Sequence, residues 1–170
     1  RRLSRTPSPL KSRSSKTTSN TRAMFKAIMV GRSGVGKSAL GIRLLHAYDS
    51  VDTEEDVKRG VRHTPMTIGL ALLTIKIEPN AANVTETLLW LMDTTSHQRF
   101  QPILRSFYRR QQICFLIYDC TDPTSVYDEN NRENKHRLKQ HYEDVLEQRG
   151  LEEPAPVFVV IGNKRDIADN

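Results

Sequence analysis

Acidic residues are missing from residues 1–23, where seven basic ones stand: Arg1, Arg2, Arg5, Lys11, Arg13, Lys16 and Arg22. The chain's 26 basic residues less those seven leave 19 against 20 acidic ones, so the formal net charge of +6 belongs to the tail and the rest is near neutral. Cysteine is almost absent. Cys114 and Cys120 are the only two, both in or beside an apolar run where a thiol behaves as a small hydrophobe, which argues against a disulfide framework and for a reducing compartment. No apolar run approaches the roughly 18 to 20 residues that span a bilayer, and no apolar signal core follows the basic start. The tail also has no aromatic residue to stack on bases, which disfavours nucleic acid as its partner.

What is present suits one domain: 170 residues with 37% hydrophobic content can build a core without staples. "RRLSRTPSPLKSRSSKTTSNTR" has little to bury and is expected to be a disordered basic Ser/Thr-rich tail over 1–23, with the globular domain at 24–170. Three readings of the tail stay open. It is a solvated spacer, a patch for an anionic membrane surface at about 1 kcal/mol per basic residue, or a regulated segment whose "RRLS" and "TPSP" present Ser4, Thr6 and Ser8 for phosphorylation.

From Phe25 onward apolar runs alternate with helical patterns. Strands are predicted at 25–31, about 66–78, 87–93, 113–119 and 157–162, with helices at about 37–47, 100–110 and 132–149. Strands apolar on both faces and separated by helices indicate an α/β fold, a mostly parallel, doubly wound sheet with helices on both faces. "EPNAAN" is a turn cluster, so the second and third strands are expected to form one antiparallel edge hairpin.

"GRSGVGKS" (31–38) follows the first strand and opens the first helix, the context that makes G-x-x-x-x-G-K-[ST] a phosphate-binding P-loop. Gly31, Gly34 and Gly36 let backbone N–H groups wrap phosphate oxygens at a helix N-terminus, where the dipole favours an anion. Lys37 then reaches the β and γ phosphates, and the Ser38 hydroxyl ligates Mg²⁺. The base is chosen elsewhere. "NKRD" (163–166) sits directly after the strand "VFVVIG", at the sheet end where ligands bind in open α/β folds. The Asp166 carboxylate can accept from the N1–H and exocyclic amine of guanine, which adenine cannot supply; Asn163 can meet the other edge, and the stem of Lys164 can cover the ring. An adenine-specific P-loop enzyme is the alternative that this motif opposes.

With "GRSGVGKSAL", "TIG" (67–69), "MDTTSHQRF", "YDCTDPTSV" and "NKRD" in order, the chain resembles a Ras-superfamily small GTPase, the Rab branch nearest, from about Phe25 to Asp166. The resemblance implies a molecular switch that binds GTP or GDP with Mg²⁺ and hydrolyses GTP in signalling or vesicle traffic. Ser33, Val35 and Ala39 would join the phosphate site. Thr67 would be the first-switch threonine that ligates Mg²⁺, with Thr64 as fallback, and Asp93 would hold the ion through water. Effector, exchange-factor and activating proteins would dock on 64–78 and 93–110, and the setting would be the cytoplasm, peripheral on the cytosolic face of membranes.

Three departures from the family stand out. The second switch reads "DTTSHQ" where the family has DTAGQE, putting Ser96 at the glycine and His97 at the water-positioning glutamine. With Lys37, these two form the expected catalytic set. Ser96 is expected to stiffen the loop by roughly 1 to 2 kcal/mol if its φ must become positive. A slow intrinsic rate follows, and the rival reading is a GTP-loaded interaction module that barely hydrolyses. The second departure is extra length at 49–63 and 127–150, charged material of the kind that forms solvated loops. Third, the family's last strand with a second guanine-contact loop, its final helix and its prenylated cysteines do not follow within these residues, so the expectation is a domain continued beyond Asn170.

Overall fold

The computed structural model describes residues 22–48, 67–78, 86–130, 137–150 and 152–168. The basic tail, the 49–63 insertion, Thr64, the "EPNAAN" turn from Pro79 on and the first part of the 132–149 helix lie outside them.

Five strands form one sheet: β1 (Ala23–Val30), β2 (Leu70–Ile77), β3 (Thr87–Thr94), β4 (Ile113–Asp119) and β5 (Val157–Asn163), in the order β2-β3-β1-β4-β5. β2 and β3 pair antiparallel, and every other pairing is parallel. This is the predicted α/β architecture with one antiparallel edge. The helices are α1 (Lys37–Tyr48), α2 (Gln101–Phe107), α3 (Arg137–Glu147) and the short α4 (Arg165–Ala168).

The period-2 geometry of the central strand builds two cores at once. Ala27 and Met29 point to one face, where Ile75, Leu91, Ile117 and the α1 residues Leu40, Leu44 and Leu45 pack. Ile28 and Val30 point to the other, with Tyr108, Cys114, Leu116 and Val145 of α3. A strand covered on both faces has no reason to alternate, which is why β1 reads as a near-continuous apolar run. β5 departs from that pattern. Its Val157 and Val160 are 64% and 58% exposed, and among the described residues no strand pairs with its outer edge.

Register places the chemistry at one rim. Met29 lies beside Asp93, so the end of β3 meets the segment leaving β1. Asp119 lies beside Asn163, so the ends of β4 and β5 meet one position before Lys164.

Candidate functional site

The loop from Gly31 to Gly36 is wedged between strand ends. Gly31 and Gly36 adopt φ of +152° and +91°, and a Cβ at Gly31 would run into the Ile117 carbonyl while one at Gly36 would run into the Asn163 amide. Only glycine allows both the turn and the approach. Val35 anchors the loop from below with its side chain in the core, and its carbonyl accepts from Asn163 Nδ2 at 2.8 Å. Ser33 and Gly34 are exposed at the tip, and Ala39 is partly buried in the first turn of α1. That turn carries no acidic residue, which leaves the positive end of the helix uncompensated for an anion.

Lys37 turns back under this loop. Its ammonium donates to Gly31 O at 2.9 Å, Arg32 O at 3.0 Å and Ser96 Oγ at 2.5 Å, so all three protons are committed. Burial lowers its pKa to about 8 while the Asp93 charge pulls the other way. A buried cation facing the helix end is the group a phosphate would neutralise.

Beside it, three oxygen-bearing side chains converge. Ser38 Oγ lies 2.7 Å from Thr67 Oγ1 and donates to Asp93 Oδ2 at 2.5 Å, while Thr67 Oγ1 lies 2.9 Å from the same carboxylate oxygen. Asp93 is 3% exposed, and its Oδ1 is buried with no hydrogen-bond partner. Two hydroxyls and an under-satisfied carboxylate fit Mg²⁺, a hard cation that takes few protein oxygens and completes its shell with phosphates and water. Among the described residues no group of three His, Cys, Asp or Glu forms an alternative metal cage.

The other end of the site is built at β4 and β5. Lys164 sits in the left-handed region at φ +63°. Its ammonium donates to Asp119 Oδ2 at 2.6 Å, and Asp119 Oδ1 accepts from the Thr121 backbone and hydroxyl at 2.9 and 2.6 Å. Burial pushes the Asp119 carboxyl up, but Lys164 and Thr121 outweigh it and hold it below the usual carboxylate value. Asp166 follows, exposed in the first turn of α4. Asp119 and Thr121 lie in "YDCTDPTSV", one of the stretches that carry the family resemblance, but no role for either side chain follows from the sequence. Arg32 was missed as well. It donates from the phosphate loop to Asp122 Oδ2 at 2.9 Å and to the Thr124 hydroxyl, tying the loop to the β4 exit.

The departures sit differently from one another. Thr94 Oγ1 donates to Met29 O at 2.6 Å and Thr95 N to Gly69 O at 2.9 Å, fastening the β3 exit to β1 and to the "TIG" segment. Ser96 joins the phosphate loop, its hydroxyl donating to Gly31 O at 2.7 Å. It is not among the described residues with positive φ, so the backbone cost expected of it is not incurred in this conformation; its contribution here comes from its hydroxyl. His97 is exposed, its Nδ1 accepting from Arg99 N at 3.4 Å and its ring edge-on to Phe100. The imidazole is thus held within its own loop and is not gathered with Lys37, Ser38, Thr67 and Asp93.

A P-loop at the carboxyl rim of a mostly parallel sheet, a buried lysine, an oxygen-rich cation niche and a second rim motif define a phosphate-binding α/β nucleotide domain. The chain belongs to the Ras family, whose sequence model matches residues 26–170. It is 28% identical over 144 residues to the Ras-related protein RabC of Dictyostelium discoideum (85% of this chain, 61% of that protein). It is 29% identical over 153 residues to the Ypt/Rab-type GTPase YPT7 of Saccharomyces cerevisiae (89% and 63%). Against the GTP-binding protein yptV2 of Volvox carteri it is 32% identical over 149 residues (87% and 56%). The chain therefore spans about six-tenths of the length of these curated relatives.

Proposed function

We propose that this domain is a Mg²⁺-dependent guanine-nucleotide switch that binds GTP, hydrolyses it to GDP and exposes or withdraws a partner surface accordingly, in intracellular signalling or vesicle traffic. The observation that carries this reading is the convergence of Ser38, Thr67 and the half-satisfied Asp93 beside the buried ammonium of Lys37. When bound, Mg²⁺ supplies charge neutralisation on the β and γ phosphates. Ser38 and Thr67 would ligate it and Asp93 would hold it through water. Lys37 and the loop N–H groups would bind the phosphates, while Asp166, Asn163 and the stem of Lys164 would read guanine.

Partner docking on 64–78 and 93–110 is supported by apolar side chains exposed there: Ile68 at 75%, Leu72 at 52% and Ile103 at 59%. Effectors, exchange factors and activating proteins are the partner classes, and the cytosolic face of a membrane is the proposed setting. Among the described residues no helix is long and apolar enough to cross one. A second reading, a nucleotide-loaded interaction module with little hydrolysis, draws support from the outward-held His97 imidazole.

Competition against a fluorescent GTP analogue tests the main reading. GTP and GDP should displace it in the presence of Mg²⁺ while ATP does not, and Asp166→Asn should shift preference toward xanthine nucleotides. Equal competition by ATP, or an unchanged base preference in the variant, would refute the assignment.

A further inference from the structure

Lys37 has three protons to give, and in this structure none is spare. Two go to the backbone carbonyls of Gly31 and Arg32, which the squeezed loop holds in place. The third goes to Ser96 Oγ at 2.5 Å, and that hydroxyl gives its own proton to Gly31 O at 2.7 Å. A phosphate that Lys37 is to hold must take over one of these donors. The carbonyls belong to the loop that forms the phosphate cradle, whereas Ser96 is a side chain on a separate segment, so its bond is the one that gives way. Ser96 follows Asp93, Thr94 and Thr95 out of β3, on the segment that carries the cation niche; a terminal phosphate bridged to that cation would approach Lys37 from this side, whereas an inner phosphate would be held mainly by the N–H groups at the start of α1.

We propose that Ser96 is a specificity-determining residue whose hydroxyl competes with the terminal phosphate for Lys37 and biases the site toward the nucleoside diphosphate. The inference rests on the guanine-nucleotide reading above. It makes the altered letter in the second switch an active competitor and not only a lost glycine. Desolvation strengthens the effect, because a buried ammonium that must give up one acceptor before gaining another has little water to bridge the exchange. One charge-assisted hydrogen bond corresponds to about a tenfold change in relative affinity.

The test compares the full 170-residue chain with Ser96→Ala and Ser96→Gly, each checked by thermal unfolding, and measures Kd for GDP and for a non-hydrolysable GTP analogue with Mg²⁺. Both variants should lower the ratio of analogue Kd to GDP Kd by about tenfold, the alanine alone sufficing because it removes only the hydroxyl. An unchanged ratio in Ser96→Ala overturns the inference while leaving the nucleotide reading intact. A shift in Ser96→Gly alone also overturns it, since backbone freedom would then be the cause. If the parent chain binds neither guanine nucleotide, the functional reading fails and this inference falls with it.

Discussion

Asp119→Ala asks whether the lysine of "NKRD" works only when it is held. Asp119 accepts from the Lys164 ammonium at 2.6 Å, and the pair is mostly enclosed, with side chains 9% and 32% exposed. Hydrogen bonds between charged partners contribute about 1.5–3 kcal/mol, and because Lys164 keeps some access to water the lower end applies, about 1.5 kcal/mol. If that energy is what lays the lysine stem along the base, guanine-nucleotide Kd rises about tenfold. Asp119→Asn keeps one acceptor oxygen, for Lys164 or for Thr121 but not for both, and loses the charge, so it should fall between parent and alanine. The carboxyl titrates below its ordinary value in the folded chain, so its contribution is complete above the unfolded value near 3.8 and is lost only as pH falls through the folded one. A neutral assay therefore reads the whole effect. Titration with a fluorescent GDP analogue, with thermal unfolding as the folding check, decides the matter. If Asp119→Ala is folded and binds as tightly as the parent, the stem of Lys164 needs no pin and the reasoning fails.

Gly36→Ala should abolish most nucleotide binding, since φ is +91° and the new Cβ meets the Asn163 amide; a binding titration that finds parental affinity would refute this. Ser96→Gly combined with His97→Gln should raise the single-turnover rate of GTP hydrolysis over the parent, and no increase would show that these two letters do not limit it. His141 is held neutral, its pKa lowered to about 4, first by burial and then by the Lys37 charge, with Asp144 opposing and Arg137 adding. Because its folded pKa is depressed, the contribution of His141 to stability should be complete above about 6.5 and be lost as pH drops from there to about 4, by at most about 3 kcal/mol. Chemical denaturation across that range should show the decline, and His141→Gln should flatten it.

The phosphate loop was legible because its chemistry is local: three glycines, a lysine and a serine at fixed spacing between a strand and a helix need no distant partner to be understood. The five strands and the antiparallel pair were legible from apolar runs and one turn cluster. The ring of side chains that holds the loop was not. Arg32 to Asp122 and Lys164 to Asp119 join residues 90 and 45 positions apart, and only the register of β4 beside β5 brings the second pair together. Periodicity also misjudged β5, whose apolar sequence reads like the buried strands although Val157 and Val160 are exposed. At "DTTSHQ" the sequence marks Ser96 and His97 as departures from the family pattern, but where each side chain points is a tertiary property. Ser96 turns in toward the loop, and His97, one residue later, turns out.

The segments around Thr67 and Ser96 are cross-tied, which constrains how they can move. Thr67 is tied to Ser38 and Asp93, and two residues on Gly69 O accepts from Thr95 N, the residue that precedes Ser96. Ser96 in turn is tied to Lys37 and Gly31. Releasing Thr67 alone would leave Asp93 Oδ2 with Ser38 as its one remaining hydroxyl donor while Oδ1 already has no partner in a buried place, a cost of about 1–3 kcal/mol for the lost bond. Releasing Ser96 alone would leave the buried Lys37 with a proton undelivered. Each segment is therefore expensive to open while the other stays closed, unless an incoming ligand satisfies the groups exposed. On the proposed reading, phosphate oxygens for Lys37 and a cation for Asp93 would meet both needs in one Mg²⁺–nucleotide complex, which would couple the two segments to a single binding event. The Gly69–Thr95 bond that ties the "TIG" segment to the β3 exit is between backbone atoms, so no side-chain substitution at 96 or 97 removes either of its partners.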